Sequence, residues 1–151
     1  MNLYIVRFCA EEVRRQGRGP LEVAGMVNAW EDALRKFKYG RFMNLEQHTK
    51  AVQRWGHLIE PEANEPRRWR SCNVRVGNHI CPPLNEVPHL MSRYLDMFPS
   101  MNADEAYLEF ERIHPFRDGN GRVGKILFNW KNDTMSRPVF PPDFFGGIAN
   151  P

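Results

Sequence analysis

The sequence predicts a mainly α-helical bundle that carries one short β-hairpin. Three observations lead there. Apolar residues recur at helical spacing through most of the 151 residues. Asn44 with Gln47, and Asn102 with Glu105, have the spacing of a capping box at a helix start. Only between Trp69 and Cys81 does the apolar period change to two. The length suits a single domain, residues 1–151, on a scale of roughly 100–200 residues per domain. Apolar residues make up 42%, aromatic 12% and charged 26%, which is globular usage and excludes a disordered chain.

The elements follow in chain order. Val6, Cys9, Ala10 and Val13 stack on one face of a first helix, which Gly17, Gly19 and Pro20 end. Val23, Met26, Val27, Trp30, Leu34 and Phe37 give a second, with Pro20 in its first turn where a missing N–H costs nothing. Lys38 to Met43 is a basic, aromatic turn. Asn44 opens a third helix that carries Leu45, Val52, Trp55 and Ile59 inward. Residues 60–68 form a polar loop with two prolines. In the hairpin, Cys72, Val74 and Val76 share one face, and Gly77-Asn78 suits a type II′ turn. Asn85 caps a helix with Val87, Leu90, Met91, Tyr94 and Leu95 inward, and Asn102 caps one with Ala103, Ala106, Tyr107, Phe110 and Ile113. A last helix holds Val123, Ile126, Leu127 and Trp130, and the tail from Ser136 is irregular.

Several function classes are excluded early. No run of about 18 apolar residues exists to span a membrane. The start lacks a basic region before its short apolar stretch and reaches Glu11 and Glu12 at once, so no secretory leader is expected. The net charge is only +3, and the arginines are scattered rather than striped, which argues against nucleic acid as a partner. Cys9, Cys72 and Cys81 form no metal-binding pair; they read as reduced thiols of a cytoplasmic protein, with a Cys72–Cys81 bridge across the hairpin as the alternative.

The chemistry concentrates in nine residues, His114-Pro115-Phe116-Arg117-Asp118-Gly119-Asn120-Gly121-Arg122. Glycines at 119 and 121 permit close backbone approach. The helix that starts near Asn120 to Arg122 offers free N–H groups and a dipole to an anion. Arg122 and Lys125 lie one turn apart and can reach the same anion. Asp118 is a hard oxygen ligand suited to a Mg²⁺ that bridges phosphates. His114 can accept a proton near neutral pH. Taken singly, each residue is ordinary, since a lone histidine is usually structural and Asp-Gly-Asn-Gly usually a turn. Together they are the parts that phosphoryl or nucleotidyl transfer requires.

The string matches the Fic/Doc signature, H-x-F-x-[D/E]-G-N-G-R, at every specified position, and the chain resembles that family from about Leu21 to Phe145. The resemblance implies a Fic-like helical bundle with the hairpin, the flap, beside the active-site loop. It implies AMP transfer from ATP to a Ser, Thr or Tyr hydroxyl of a target protein. His114 would be the general base. Phe116 would pack inward to hold a nucleotide-binding loop whose Gly119, Asn120 and Gly121 form the anion hole. Arg122 and Lys125 would bind the β- and γ-phosphates, and Asp118 would hold Mg²⁺. The flap residues Val74, Arg75, Val76 and Gly77 would pair with an extended stretch of the target.

The chain departs from the family pattern at three places. The second basic residue of the signature helix is Lys125 rather than arginine, which keeps the charge and loses the fork. No inhibitory motif [S/T]-x-x-x-E-[G/N] occurs, so Lys125 is expected to be free, and an antitoxin-like partner would have to restrain the enzyme in trans. The family's adenine wall beyond the signature helix would here be short, supplied by Phe140, Phe144 and Phe145, or cut away from a longer protein. Phosphoryl transfer as in Doc, another transferred phosphate-containing group, and a non-catalytic binding module remain the alternatives.

Overall fold

The computed structural model describes residues 2–39 and 43–144, and within them the expected architecture is present. Six helices occur in order: α1 (Leu3–Arg15), α2 (Pro20–Tyr39), α3 (Leu45–Ile59), α4 (Val87–Met97), α5 (Ala103–Ile113) and α6 (Asn120–Lys131). Between α3 and α4 lie the strands β1 (Arg75–Val76) and β2 (His79–Ile80), antiparallel, with Arg75 opposite Ile80 and Val76 opposite His79.

Local chemistry explains most helix ends. The Asn44–Gln47 capping box forms with both of its hydrogen bonds. At Asn102 only half of it forms: the side chain accepts from Glu105 N, while the Glu105 carboxylate turns to the Asn102 amide instead of the backbone. Asn85 is not a cap. It lies inside a 3-10 turn (Leu84–Glu86) that runs straight into α4, and Pro88 sits in the first turn of α4.

The core joins α1, α2 and α3 to α4, α5 and α6 around Trp30, Trp55, Phe110 and Phe116, all fully buried. Burial of side chains this large contributes about 1.5–3 kcal/mol each. The indole N–H groups of the two tryptophans find partners as well, Trp30 donating to the Met135 carbonyl at 2.8 Å and Trp55 to the Asp32 carboxylate at 3.0 Å.

Two predicted faces need correction. The inward stripe of α1 is Ile5, Phe8, Cys9, Glu12 and Val13, not Val6 and Ala10. Phe8 and Ile5 bury more apolar surface than the residues they displace, which rotates the helix. Leu45 is largely exposed at the first residue of α3, where the chain has only begun to approach the core. The hairpin is shorter than its alternation suggests. Cys72, Val74 and Val76 are half-buried and Ser71, Asn73 and Arg75 exposed, yet pairing is confined to two residues per strand. Gly77 has the positive φ (56°) that the turn needs, and Asn78 does not share it, as type II′ requires.

All three cysteines are free, so the Cys72–Cys81 bridge is absent. None of the described helices is long and apolar enough to cross a membrane. The described part of the tail folds back on the bundle: Asn129 exchanges two hydrogen bonds with Val139, and the Phe140 ring lies 4.4 Å from Phe8 under the Arg15 guanidinium. Phe140 thus packs against α1 while remaining half-buried. Phe144 stands 6.2 Å from Tyr107, and Phe145 lies outside the described residues.

Candidate active site

The signature occupies the short connection between α5 and α6, and its shape follows from a few local demands. α5 ends at Ile113, and His114 caps it in the left-handed region (φ 54°, ψ 62°). A non-glycine residue there is held by its surroundings at a cost of order 1–3 kcal/mol. Gly119 also has a positive φ (81°) as the residue before α6, and a Cβ on it would come within 2.9 Å of Ile59. Glycine is the residue that meets both conditions.

Phe116 anchors the loop. Its ring is buried between Trp69 and Phe110, and a Cβ on Gly56 of α3 would collide with it. The side chain thus acts by packing and leaves the anion to others. Asn120 pins the same residue by receiving its N–H and donating to its carbonyl, both at 2.8 Å. The first helical bond of α6 runs from Val123 N to Gly119 O, so the N–H groups of residues 120–122 precede it and point out of the helix start. Gly121 takes an ordinary φ inside this turn.

The charges form a ring around that turn. Arg122, 3% exposed, lies 2.8 Å from Glu60 and 3.7 Å from Asp118. The approach to Glu60 is an ion pair without a well-aligned hydrogen bond. Arg18, from the turn between α1 and α2, holds Asp118 at 2.6 Å. Lys125 is not free, which overturns the expectation from the missing motif. Its ammonium lies 2.9 Å from Glu12 of α1, and the two side chains are 1% and 2% exposed. The carboxylate that faces Lys125 thus comes from α1 of the same chain.

His114 is buried, and burial is the main reason its pKa is pushed down to about 4. Arg70 and His79 add to this, while the Glu111 carbonyl and Asp118 oppose it. The imidazole is therefore neutral at pH 7 and has a free lone pair. Three residues earlier on α5 is Glu111, buried with neither carboxylate oxygen hydrogen-bonded among the described residues; burial raises its pKa to about 8 despite the nearby Lys125 charge.

The flap stands upstream of this loop, and His79 reaches the Arg112 carbonyl at 3.5 Å. Sequence reasoning missed Glu12, Arg18, Glu60, Asn64, Arg70 and Glu111. Asn64 is buried and clamps the loop, donating to the carbonyls of Gly56 and Asp118 and accepting from the N–H groups of Arg117 and Asp118. The one signal in the sequence was Glu12, an acid three residues from Cys9 on an apolar stripe.

The family model of the Fic/DOC family matches residues 43–131, more than half of the chain. The chain belongs to the Fic/DOC family. Among relatives, the protein adenylyltransferase Fic of Culex quinquefasciatus is 35% identical over 107 residues, and that of Drosophila willistoni 33%. Both matches cover 65% of this chain and 20% of the relative, so the chain spans about a fifth of the length of these Fic proteins. Two solved structures share the fold. IbpAFic2, covalently tethered to Cdc42, superposes on 98% of this chain and 53% of its own with a TM-score of 0.70 at 18% identity. C. elegans Fic-1 does so on 86% and 44%, with a TM-score of 0.59 at 19% identity.

Proposed function

We propose that this Fic chain transfers AMP from ATP to a hydroxyl side chain of a target protein. One observation carries the reading: a buried, neutral histidine is locked in a strained corner at the head of the loop that opens into the anion-binding start of α6. In this reaction His114 accepts the proton of the target hydroxyl as its oxygen attacks the α-phosphorus. The bond from that phosphorus to the bridging oxygen breaks, and pyrophosphate leaves. The N–H groups of residues 120–122, with Arg122 and Lys125, hold the phosphate charge. Arg122 must exchange Glu60 for a phosphate oxygen, and Lys125 must exchange Glu12.

Asp118 fits Mg²⁺. It is one partly exposed carboxylate at the mouth of a phosphate cradle: the Gly119 N–H donates to Oδ1 at 2.8 Å with Arg122 3.7 Å away, and the half-exposed Arg18 holds Oδ2, the oxygen an incoming ion would take over. Mg²⁺ commonly takes one or two carboxylates and fills its remaining positions with phosphates and water. Among the described residues no cluster of three His, Cys, Asp or Glu would hold a metal without the nucleotide. When bound, the ion neutralises phosphate charge.

The flap supports a protein as target. Among the described residues β1 pairs with β2 alone, so its outer edge can receive an extended strand along Val74 to Gly77. The related structure tethered to Cdc42 supports the same class of substrate.

The test is labelling of a lysate with ATP carrying the label on the α- or the γ-phosphate. Covalent label from α only is expected, and His114→Ala should reduce it about 10²–10⁴-fold. Transfer of the γ-label would mean phosphorylation instead, and undiminished labelling by the variant would remove His114 from the mechanism.

A further inference from the structure

Arg70 is a buried arginine with no acidic partner among the described residues. The residue is 6% exposed, and among the described residues its guanidinium forms no ion pair; its hydrogen bonds go to main-chain carbonyls. Nε donates to His114 O at 2.7 Å, and one terminal nitrogen adds Ile113 O at 3.3 Å. The other terminal nitrogen donates to Cys72 O at 2.9 Å, and the nitrogen that reaches Ile113 also reaches Pro82 O at 2.5 Å. The backbone N–H of Arg70 joins in, donating to Pro115 O at 2.8 Å.

These carbonyls belong to two functional segments. Ile113, His114 and Pro115 are the corner that holds the base. Cys72 and Pro82 are the two roots of the flap, one just before β1 and one just after β2. A two-stranded hairpin with two paired residues per strand is marginal by itself and takes its orientation from whatever grips its ends. An arginine is suited to that grip, because its planar fork presents several donors at fixed angles, which a single ammonium cannot reproduce. Burying an unpaired cation is costly, and four carbonyl acceptors are what compensates it. Core packing alone would be met by an apolar residue of similar size.

We propose that Arg70 is a positioning residue that joins the flap and the His114 corner into one unit, so that a target strand docked on the flap presents its hydroxyl at the histidine. This rests on the adenylyl-transfer reading for its purpose. The mechanical coupling can be measured without it. Arg70 acts through the carbonyls it binds in the His114 corner and at the roots of the flap.

The first readout is hydrogen exchange on the free protein. In Arg70→Met the amides of the flap (residues 73–81) and of the loop (residues 114–119) should both exchange faster, about ten- to a hundredfold, while those of α2 and α3 keep their protection. Arg70→Lys keeps the charge and should restore neither segment fully. The second readout is a split in kinetics: both variants should raise KM for the target and lower kcat, with binding of an ATP analogue unchanged. A general structural defect would weaken nucleotide binding too. Loosening of one segment without the other, or wild-type exchange in Arg70→Lys, overturns the proposal. If Arg70→Met does not fold, Arg70→Lys carries the test by the same criterion. A wild-type protein that transfers no AMP defeats the functional reading and leaves the exchange result to decide the coupling.

Discussion

The two cations of the signature helix meet opposite fates. Arg122 and Lys125 sit one turn apart on α6, and each faces a carboxylate at under 3 Å. Arg122 pairs with Glu60, which is 13% exposed at the C-terminal cap of α3 and poorly aligned for a hydrogen bond. Lys125 pairs with Glu12, which is dry, sits on the core face of α1 and also accepts from Gln16. The first pair is a lid that solvent already touches. The second is part of the core, and breaking it means moving a side chain whose helix carries Ile5, Phe8 and Val13 into that core. Identical charges one turn apart therefore differ in how easily a phosphate can claim them.

The strongest way to break this comparison is through stability. Lys125→Met should leave the Glu12 carboxylate buried and unpaired and cost about 3–5 kcal/mol, read from urea unfolding. The double variant with Glu12→Gln should recover most of that loss, and additivity of the two single changes would show that the pair is not coupled.

Ligand affinity gives the next largest effect. Glu12→Gln should free Lys125 and strengthen ATP binding roughly ten- to a hundredfold, as expected for a charge-assisted contact regained. AMP labelling should rise with it. An unchanged affinity would mean that α1 does not restrain the site, and a restraining partner in trans would again be required.

A pH series sharpens the contrast on the Lys125 side, where a second buried acid stands. Burial raises Glu111 to about 8 from the 4.5 of an ordinary carboxyl, so the folded protein holds this proton more firmly than the unfolded chain. Its contribution to stability is thus fully present below pH 4.5 and is lost as pH rises through about 8. Glu111→Gln should gain about 1–3 kcal/mol over the wild type at pH 8.5 and nothing at pH 4. Parallel stability curves for the two proteins would contradict the assignment.

The smallest effect is expected at Glu60. Glu60→Gln should change unfolding by less than about 1 kcal/mol and ATP affinity only a few-fold, because water and Arg18 already share the carboxylate. A response as large as that of Glu12→Gln would erase the difference between the two cations.

How much of this was legible in the sequence depends on what each residue needs. The placement of His114, Asp118, Gly119, Asn120 and Arg122 at the α5–α6 junction was readable because it is set by neighbours within a few residues: a helix end, a turn, a helix start. The capping box at Asn44 was readable for the same reason. Asn85 misled because a 3-10 turn replaced the expected cap, and Leu45 because periodicity counts a residue that has not yet reached the core.

The sequence by itself determined the helical bundle, the hairpin, the nine-residue site and the family, since all rest on short-range spacing and local backbone demands. The tertiary structure alone decided who partners the charges. Glu12 reaches Lys125, Arg18 reaches Asp118, and Arg70 reaches His114 across separations of more than forty residues. The physical reason is that a buried charge must be compensated by whatever polar group the packing delivers to it, and that delivery is fixed by helix rotation and loop path rather than by any local pattern.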